Sequence, residues 1–438
     1  MHRTKFETGR RGAGLRRPIR RNLLLGISAA FVLVISIALA PKGSAHEPIT
    51  TKVRFNKEVI RILERNCFGC HKPGGIAPWS LITYDEARPW AKAIKEEMLE
   101  KRMPVWHAVK GYGEFSNAPT MTQREIDLIV NWVEGGAPKG DDKDLPATPV
   151  YSNDWPLGKP DLILTPEKQQ EVASDADEYR TIVLPVKLKE DRWLAAIDLL
   201  PGNASVVYSA TLYLEKDSAQ VTQVSQTKSA GNKSVAASIL ASWVPGQSAV
   251  ALSEDVGQYL PAGARIITKI RYRGAGEATK DRSRVGLYFS KTQPKKQARE
   301  IAITSSDSVI PVGSTPHQMK LSFTTQEDGQ AIAIRPRAHP LIVSFQATVF
   351  RPDGSEEVLI WTRGYRFDWQ QTYQFRQPVS LPKGSRIEVI AYFDNSETNS
   401  KNPNSPPKQV RWADVSEEPL CALLVATERS ASDTTAVR

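Results

Sequence analysis

Apolar and polar residues alternate with the period of an α-helix in three segments near the N-terminal end of the chain. In 56–66, 85–102 and 122–134 the apolar residues recur every three or four positions, which places them on one helical face. The third segment opens with Thr122 and has Glu125 three positions later, which is the capping box that starts many helices. Three such helices predict a small all-α domain.

The rest of the chain shows short alternating segments of Val, Ile, Tyr and Phe separated by Pro- and Gly-containing turns, a pattern typical of β-strands. Two of these segments begin alike. Leu-Pro-Ala-Gly-Ala-Arg-Ile at 260–266 and Leu-Pro-Lys-Gly-Ser-Arg-Ile at 381–387 lie 121 residues apart. This internal sequence similarity predicts two successive antiparallel β-sandwiches with similar folds.

The N-terminus has the layout of an export signal. Eight Lys or Arg residues and one acidic residue occupy 1–21, and an uncharged, mostly apolar run then begins at Leu23 and ends at Ala40. Small residues follow, which places a cleavage site after Ala45. The run is also just long enough to span a bilayer. We therefore expect a periplasmic, extracytoplasmic protein that is either released or anchored to the inner membrane by an uncleaved N-terminal helix.

The net charge of the chain comes mainly from this leader. The formal charge is +10, of which only about +2 remains from residue 46 onward. A nearly neutral body has no basic surface for nucleic acid, so no nucleic-acid partner is expected. Charged residues at 24% and hydrophobic residues at 40% exclude wholesale disorder and a multi-span membrane protein.

These patterns together predict a multidomain chain. The expected order is an export signal or anchor (1–45), a helical domain (46–140), a linker (141–156), a first β-sandwich (157–295), a second β-sandwich (296–430) and a C-terminal tail (431–438).

Cysteine usage points to one cofactor. Two of the three cysteines lie in Cys67-Phe68-Gly69-Cys70-His71, the spacing at which a c-type haem is attached through two thiols and ligated by the following His. A zinc ribbon needs a second Cys pair, which this chain lacks. A thioredoxin-like redox pair expects a βαβ pattern, whereas the surroundings here are helical. We expect one covalent haem c, with His71 as the proximal iron ligand.

The sixth iron ligand has few candidates. Met103 precedes a proline at the end of a predicted helix, where a loop can present its sulfur to the iron. Met121 is the second candidate, His107 or an open site remains possible, and Met98 is expected to pack inside its helix. We therefore expect Met103 to be the distal ligand.

The helical segment resembles the mono-haem cytochrome c domain of bacterial periplasmic fusion proteins, which implies a small all-α cytochrome c domain. The resemblance rests on Asn66 to His71, Ala77-Pro78, Arg102 to Ala108 and Asn131 to Pro138. In that family the Met of the Met-Pro turn is the distal ligand, which implies Met103.

The β region resembles the paired β-sandwich module of copper type II, ascorbate-dependent monooxygenases of the peptidylglycine α-hydroxylating type, often fused behind such a cytochrome. This second resemblance rests on Asp191 to Trp193, Leu199 to Asn203, Val256-Gly257 with Leu260 to Gly263, Arg284 to Phe289, Phe367 to Gln370 and Phe393 to Ser396.

The copper ligands of that family are largely missing. Its two copper sites use about five His and one Met, whereas from residue 142 onward this chain has only His317, His339 and Met319. Cys421 falls near the position of the late Met ligand and is expected to be a small buried residue. Copper is therefore not expected, and no catalytic residue is assigned.

The expected function is single-electron transfer between periplasmic or envelope redox proteins, with the β module used for docking or assembly. Two alternatives remain open at this point. One is a copper- and haem-dependent monooxygenase. It requires one copper site to be formed by His317, Met319, His339 and Cys421. The other is a haem-based ligand sensor in which Met103 does not bind the iron.

Overall fold

Helices occupy only the N-terminal part of the described chain. The computed structural model describes residues 51–119, 121–147, 155–215, 237–247, 249, 251–304, 308–313, 316–365, 369–411 and 419–430. The α-helices are α1 (Ile60–Asn66), α2 (Tyr84–Ala87), α3 (Ala91–Leu99) and α4 (Gln123–Glu134). Single turns of other helix types cover Phe55–Val59, Arg88–Trp90 and Asp142–Asp144.

Local sequence explains where these helices begin and break. The predicted capping box at Thr122 is present, because its hydroxyl accepts from the backbone N–H of Glu125 while the Glu125 carboxylate accepts from the backbone N–H of Thr122. Thr83 starts α2 in the same way. The single helix expected over 85–102 is interrupted, since Pro89 lacks an N–H and the chain passes through a 3₁₀ turn there.

A small apolar core holds the helices together. Phe55, Leu63, Phe68, Ile129 and Trp132 are almost completely buried in it. The Trp132 indole N–H donates to a backbone carbonyl six residues later, so its only polar atom is satisfied inside the core.

The structure describes twenty strands after the helices. They are β1 (Leu162–Leu164), β2 (Gln170–Val172), β3 (Asp177–Pro185), β4 (Arg192–Leu200), β5 (Val207–Glu215), β6 (Ala237–Trp243), β7 (Val256–Leu260), β8 (Arg265–Arg273), β9 (Thr279–Asp281), β10 (Arg284–Phe289), β11 (Lys296–Thr304), β12 (Val309–Ile310), β13 (His317–Thr324), β14 (Gly329–Ala338), β15 (Ile342–Phe350), β16 (Glu356–Arg363), β17 (Tyr373–Leu381), β18 (Arg386–Phe393), β19 (Val410–Arg411) and β20 (Cys421–Ser430).

The strand order repeats within the chain. Strands β1-β10-β4-β7 and β3-β8-β5-β6 form two four-stranded arrays around one apolar core, and β11-β20-β14-β17 and β13-β18-β15-β16 do the same around a second core. The two-stranded sheets β2-β9 and β12-β19 complete the correspondence. The similar turns at 260–266 and 381–387 occupy equivalent places in this repeat, between β7 and β8 and between β17 and β18.

The two halves share one continuous sheet. β7 and β11 pair in parallel, with Val256 opposite Lys296 and Gly257 opposite Gln297, and this joins two of the arrays into an eight-stranded sheet. A Cβ at Gly257 would lie 2.5 Å from Pro294, so the close approach at this junction needs glycine.

The segment that follows α3 leaves the helices and lies on the second β array. Ala108 forms an isolated bridge with Thr362, and Phe115 forms another with Phe375. The backbone N–H of Val109 donates to the carbonyl of Trp361 at 2.7 Å. The helical part is therefore hydrogen-bonded to the strands of the C-terminal half.

The expected fold class, a small all-α cytochrome c domain followed by two antiparallel β-sandwiches, is wrong. Among the residues that the structure describes, strands make up 42% and helices 13%, and the longest helix has 12 residues. Residues 49–438 form one compact unit. The helices have a small core of their own, but they belong to this same compact unit. The parallel β7–β11 junction also joins arrays that were expected to be separate and wholly antiparallel.

The expected membrane anchor is corrected as well. Within the part of the chain that the structure describes, no helix has the length and apolar character needed to cross a membrane. The apolar run on which the anchor rested lies outside the described residues. The boundaries proposed for the linker and for the β regions stay predictions.

Candidate functional site

The Cys67–His71 segment continues directly from the first helix. The backbone N–H of Cys67 donates to Leu63, which closes the last turn of α1. The N–H groups of Cys70 and His71 then both donate to the Cys67 carbonyl, at 3.1 and 2.9 Å. This tight turn holds the two thiols and the imidazole on one short segment with a rigid helix behind it.

His71 is oriented as a metal-ligating imidazole is. Its Nδ1 lies 3.2 Å from the carbonyl oxygen of Trp79, so Nδ1–H donates there and the lone pair is left on Nε2. Burial lowers the pKa of His71, with this hydrogen bond acting in the opposite direction. The ring is therefore neutral at pH 7, which is the form that binds a metal.

A pair of indoles connects His71 to the surface. The ring centroids of His71 and Trp79 are 6.1 Å apart, and Trp79 stacks on Trp90 at 4.0 Å and 11°. Trp79 remains 39% exposed, which makes it one of the largest apolar side chains on this surface. An exposed aromatic beside a candidate ligand is a place where a partner protein can approach the site.

Both thiols of the motif are protonated at neutral pH. Burial and, to a lesser extent, the nearby Cys70 together raise the pKa of Cys67 to about 12. Burial also raises the pKa of Cys70 to about 11, which Lys72 partly opposes. Thioredoxin-like cysteines have depressed pKa values, so this environment does not favour the redox-pair interpretation of the motif.

Cys70 faces the β half of the chain. It packs against a cluster formed by Tyr208, Val244 and Trp369, which we call the β wall. Its thiol lies 3.7 Å from the carbonyl oxygen of Pro245. Sequence analysis missed the β wall, because its members lie 138 to 299 residues from Cys70 and no pattern in the sequence connects them with the motif.

The candidate distal ligands lie in different surroundings. Met103 is 38% exposed, whereas Met121 packs against the helical core. Val105 packs against the β wall, as Cys70 does. Only Pro104 lies between Met103 and Val105, so the Met103 Cα is within about 8 Å of the Val105 Cα. His107 is buried, with its ring 5.3 Å from that of Tyr365.

This donor set fits a covalent haem. The two thiols flank a turn, the neutral imidazole keeps Nε2 as a ligand atom, and the exposed thioether of Met103 is apolar surface that a porphyrin can cover. Cys67, Cys70 and His71 would hold such a group. These assignments and Met103 stay predictions.

The residues considered for copper do not form a comparable site. His317 opens β13 and His339 follows β14, where its Nδ1 accepts from the backbone N–H of Leu341 at 3.4 Å. Burial lowers the pKa of His339 to about 4, and Cys421 is buried with its pKa raised to about 12. Among the described residues, no three His, Cys, Asp or Glu side chains are grouped so that they could hold a metal ion.

Comparisons with known proteins give no family. No protein-family model and no curated protein matches the chain. Solved structures with partial similarity include the major capsid protein P2 of bacteriophage PM2, with 9% identity, a TM-score of 0.27, and coverage of 61% of this chain and 97% of that one. PBCV-1 VP54, fitted into a reconstruction of the virophage Sputnik, has 8% identity, a TM-score of 0.22 and coverage of 65% and 95%. Allantoicase has 10% identity, a TM-score of 0.15 and coverage of 50% and 79%. Values this low carry no argument about function.

The expected family is therefore corrected. The resemblance to a fusion of a mono-haem cytochrome c domain with a copper monooxygenase module is wrong, since no family model supports it and the described residues show no separate helical domain of the kind that it implied. The copper part has no grouped ligands in the described residues. The short motif at 67–71 does not depend on that resemblance, because a haem iron takes four ligands from the porphyrin and needs no cluster of protein ligands.

Proposed function

We propose that this chain carries one covalent haem c on Cys67, Cys70 and His71 and transfers single electrons between redox proteins. The observation that carries the proposal is the His71 ring, which donates from Nδ1 to the Trp79 carbonyl and keeps Nε2 free of a proton, directly after two protonated thiols. A group held there supplies a one-electron ferric–ferrous couple.

The protein residues have separate roles in this proposal. Cys67 and Cys70 would hold the porphyrin by adding their S–H groups to its two vinyl groups, which needs no external oxidant. His71 would ligate the iron, and Met103 would be the second protein ligand, whose thioether would raise the potential relative to a second imidazole. Trp79 gives partners an exposed aromatic surface beside the proximal ligand.

The first experiment measures metal and haem on protein matured in a host that attaches haem c. We expect one iron per chain, no copper, and a haem that remains with the polypeptide after acid–acetone extraction. The double variant Cys67→Ala/Cys70→Ala loses the haem, whereas Cys421→Ala keeps it, because Cys421 is buried in the second β core. An iron-free parent protein, or haem extracted by acid–acetone, contradicts the proposal.

The distal ligand separates electron transfer from ligand sensing. The exposure of Met103 is the observation that keeps the sensor alternative open. If Met103 binds the iron, Met103→Ala removes the sulfur-to-iron charge-transfer band in the near infrared and Met121→Ala keeps it. Ferrous parent protein is then unaffected by carbon monoxide. Immediate carbon monoxide binding by the parent would instead favour a ligand sensor.

A further inference from the structure

Two glycines allow the β half to approach the attachment motif. The position of a Cβ on Gly69 is 3.4 Å from the Cα of Gly246, and a Cβ on Gly246 would lie 3.2 Å from the Cys70 sulfur. Gly246 also has a φ of +76°, in the left-handed region that favours glycine. The turn 244–247, closed by a hydrogen bond from Gln247 to Val244, is therefore built for close contact with Cys70.

The β wall draws on both β repeats. Tyr208 lies in β5 and Val244 follows β6, whereas Trp369 precedes β17 in the second repeat. The rings of Tyr208 and Trp369 meet edge to face at 5.6 Å. The three residues are between 2% and 8% exposed, so they cover the part of half-buried Cys70 that they contact.

Polar contacts fix the wall in place. The Arg273 guanidinium lies 3.9 Å from the centroid of the Tyr208 ring, which is a close cation–π contact. The Gln247 side-chain amide donates to the carbonyl of Thr372 at 3.4 Å, which ties the turn 244–247 of the first repeat to the start of β17 in the second. The wall is thus held by both repeats rather than by a loop alone.

We infer that the β half closes the Cys70 side of the haem site, with Gly246 and Trp369 as positioning residues that keep water away from the attached group. The inference rests on the proposed function and names what the β repeats contribute to that site. A ferric haem carries one more positive charge than a ferrous haem, so water favours the ferric state. Exclusion of water by the wall raises the potential.

Thiol labelling of the full chain made without haem tests the contact itself. We expect a maleimide to label Cys70 several-fold faster in Trp369→Ala than in the parent, with little change in Trp193→Ala, which removes an indole outside the wall. Cys421 is 1% exposed and reports unfolding, because it is labelled only if the fold opens. Equal Cys70 rates in the parent and Trp369→Ala overturn the inference, whether or not the parent binds haem.

Two glycine variants distinguish the effect of crowding at Cys70 from the effect of backbone strain. Gly246→Ala and Gly263→Ala both place a side chain at positive φ, but only Gly246 has a neighbour within 4 Å, the Cys70 segment. We expect faster Cys70 labelling in Gly246→Ala alone. Equal Cys70 labelling rates in the two variants would show that crowding by Gly246→Ala does not open the contact. If Trp369→Ala unfolds the protein and Cys421 becomes labelled, the comparison of these two glycine variants replaces it as the test.

The haem-loaded protein gives a second readout. We expect Trp369→Ala to retain its haem and to have a lower midpoint potential than the parent and Trp193→Ala. An unchanged potential contradicts the control of solvent access. A parent that binds no haem contradicts the proposed function, and the labelling result then still decides whether the wall covers Cys70.

Discussion

A buried carboxyl on the first β repeat makes stability depend on pH in a direction opposite to that of most acidic groups. Asp198 in β4 is 5% exposed, and its Oδ1 accepts from the backbone N–H of Leu199 at 2.8 Å. Burial raises the pKa of Asp198 from an ordinary 3.8 to about 6, which this hydrogen bond partly opposes. The unfolded chain therefore releases this proton more readily than the folded chain.

The sign and size of the effect follow from proton linkage. The carboxyl lowers stability progressively as the pH rises from about 4 to about 6, and the loss is complete above that range. A shift of about two pKa units corresponds to about 3 kcal/mol. Asp198→Asn removes the titrating group and keeps an acceptor for Leu199, so at pH 7 we expect it to be about 2–3 kcal/mol more stable than the parent. Near pH 4 the two proteins should be equal.

Urea unfolding of both proteins between pH 4 and 8 measures this difference. The matched control is Asp281→Asn, because Asp281 is 1% exposed but accepts from Tyr272, Ser283 and Asn203. In Asp281→Asn the side-chain NH2 group replaces a carboxylate oxygen that accepts hydrogen bonds, so it faces other donors. We expect this to lower the free energy of unfolding by about 1–3 kcal/mol at pH 7. A gain from Asp198→Asn that is the same at pH 4 and pH 7 would refute the assignment to a raised pKa.

Three further predictions concern the core, a helix start and the exposed indole. Glu300→Gln breaks a buried ion pair with Arg335 and leaves the guanidinium without its counter-charge, so we expect a loss of about 3–5 kcal/mol in urea unfolding; a loss below 1 kcal/mol contradicts it. Thr122→Ala removes the cap of α4 and should cost about 1 kcal/mol in the same assay, with Thr122→Ser near the parent value. Trp79→Leu should slow electron exchange with a protein partner in stopped-flow measurements at unchanged haem content; an unchanged rate argues against this surface as the route.

Local sequence signals were reliable where the structure depends on neighbouring residues. The capping box at Thr122 forms as expected, since it needs only a residue three positions away. The turn that carries Cys67, Cys70 and His71 follows α1 directly, as the pattern indicated. Pro89 divided a segment that its apolar period alone predicted to be one helix.

The packing of distant segments could not be predicted from the sequence. The short helices were expected to form a domain of their own, but the segment after α3 hydrogen-bonds to the second β array through Ala108 and Val109. Apolar period shows which face of a helix is buried and does not show what covers it. The family resemblance failed for a related reason, because short turn and strand motifs recur in unrelated β proteins.

The sequence by itself determined that Cys67, Cys70 and His71 lie together, because two thiols and an imidazole within five positions share one turn whatever the rest of the chain does. Folding alone brought the Tyr208, Val244 and Trp369 cluster to Cys70, since contacts between residues more than a hundred positions apart depend on sheet order and on the close approach permitted at Gly246. Spacing along the chain sets which groups are neighbours in a turn. Packing of the two β repeats sets what surrounds that turn, and through it the exposure of the site to water.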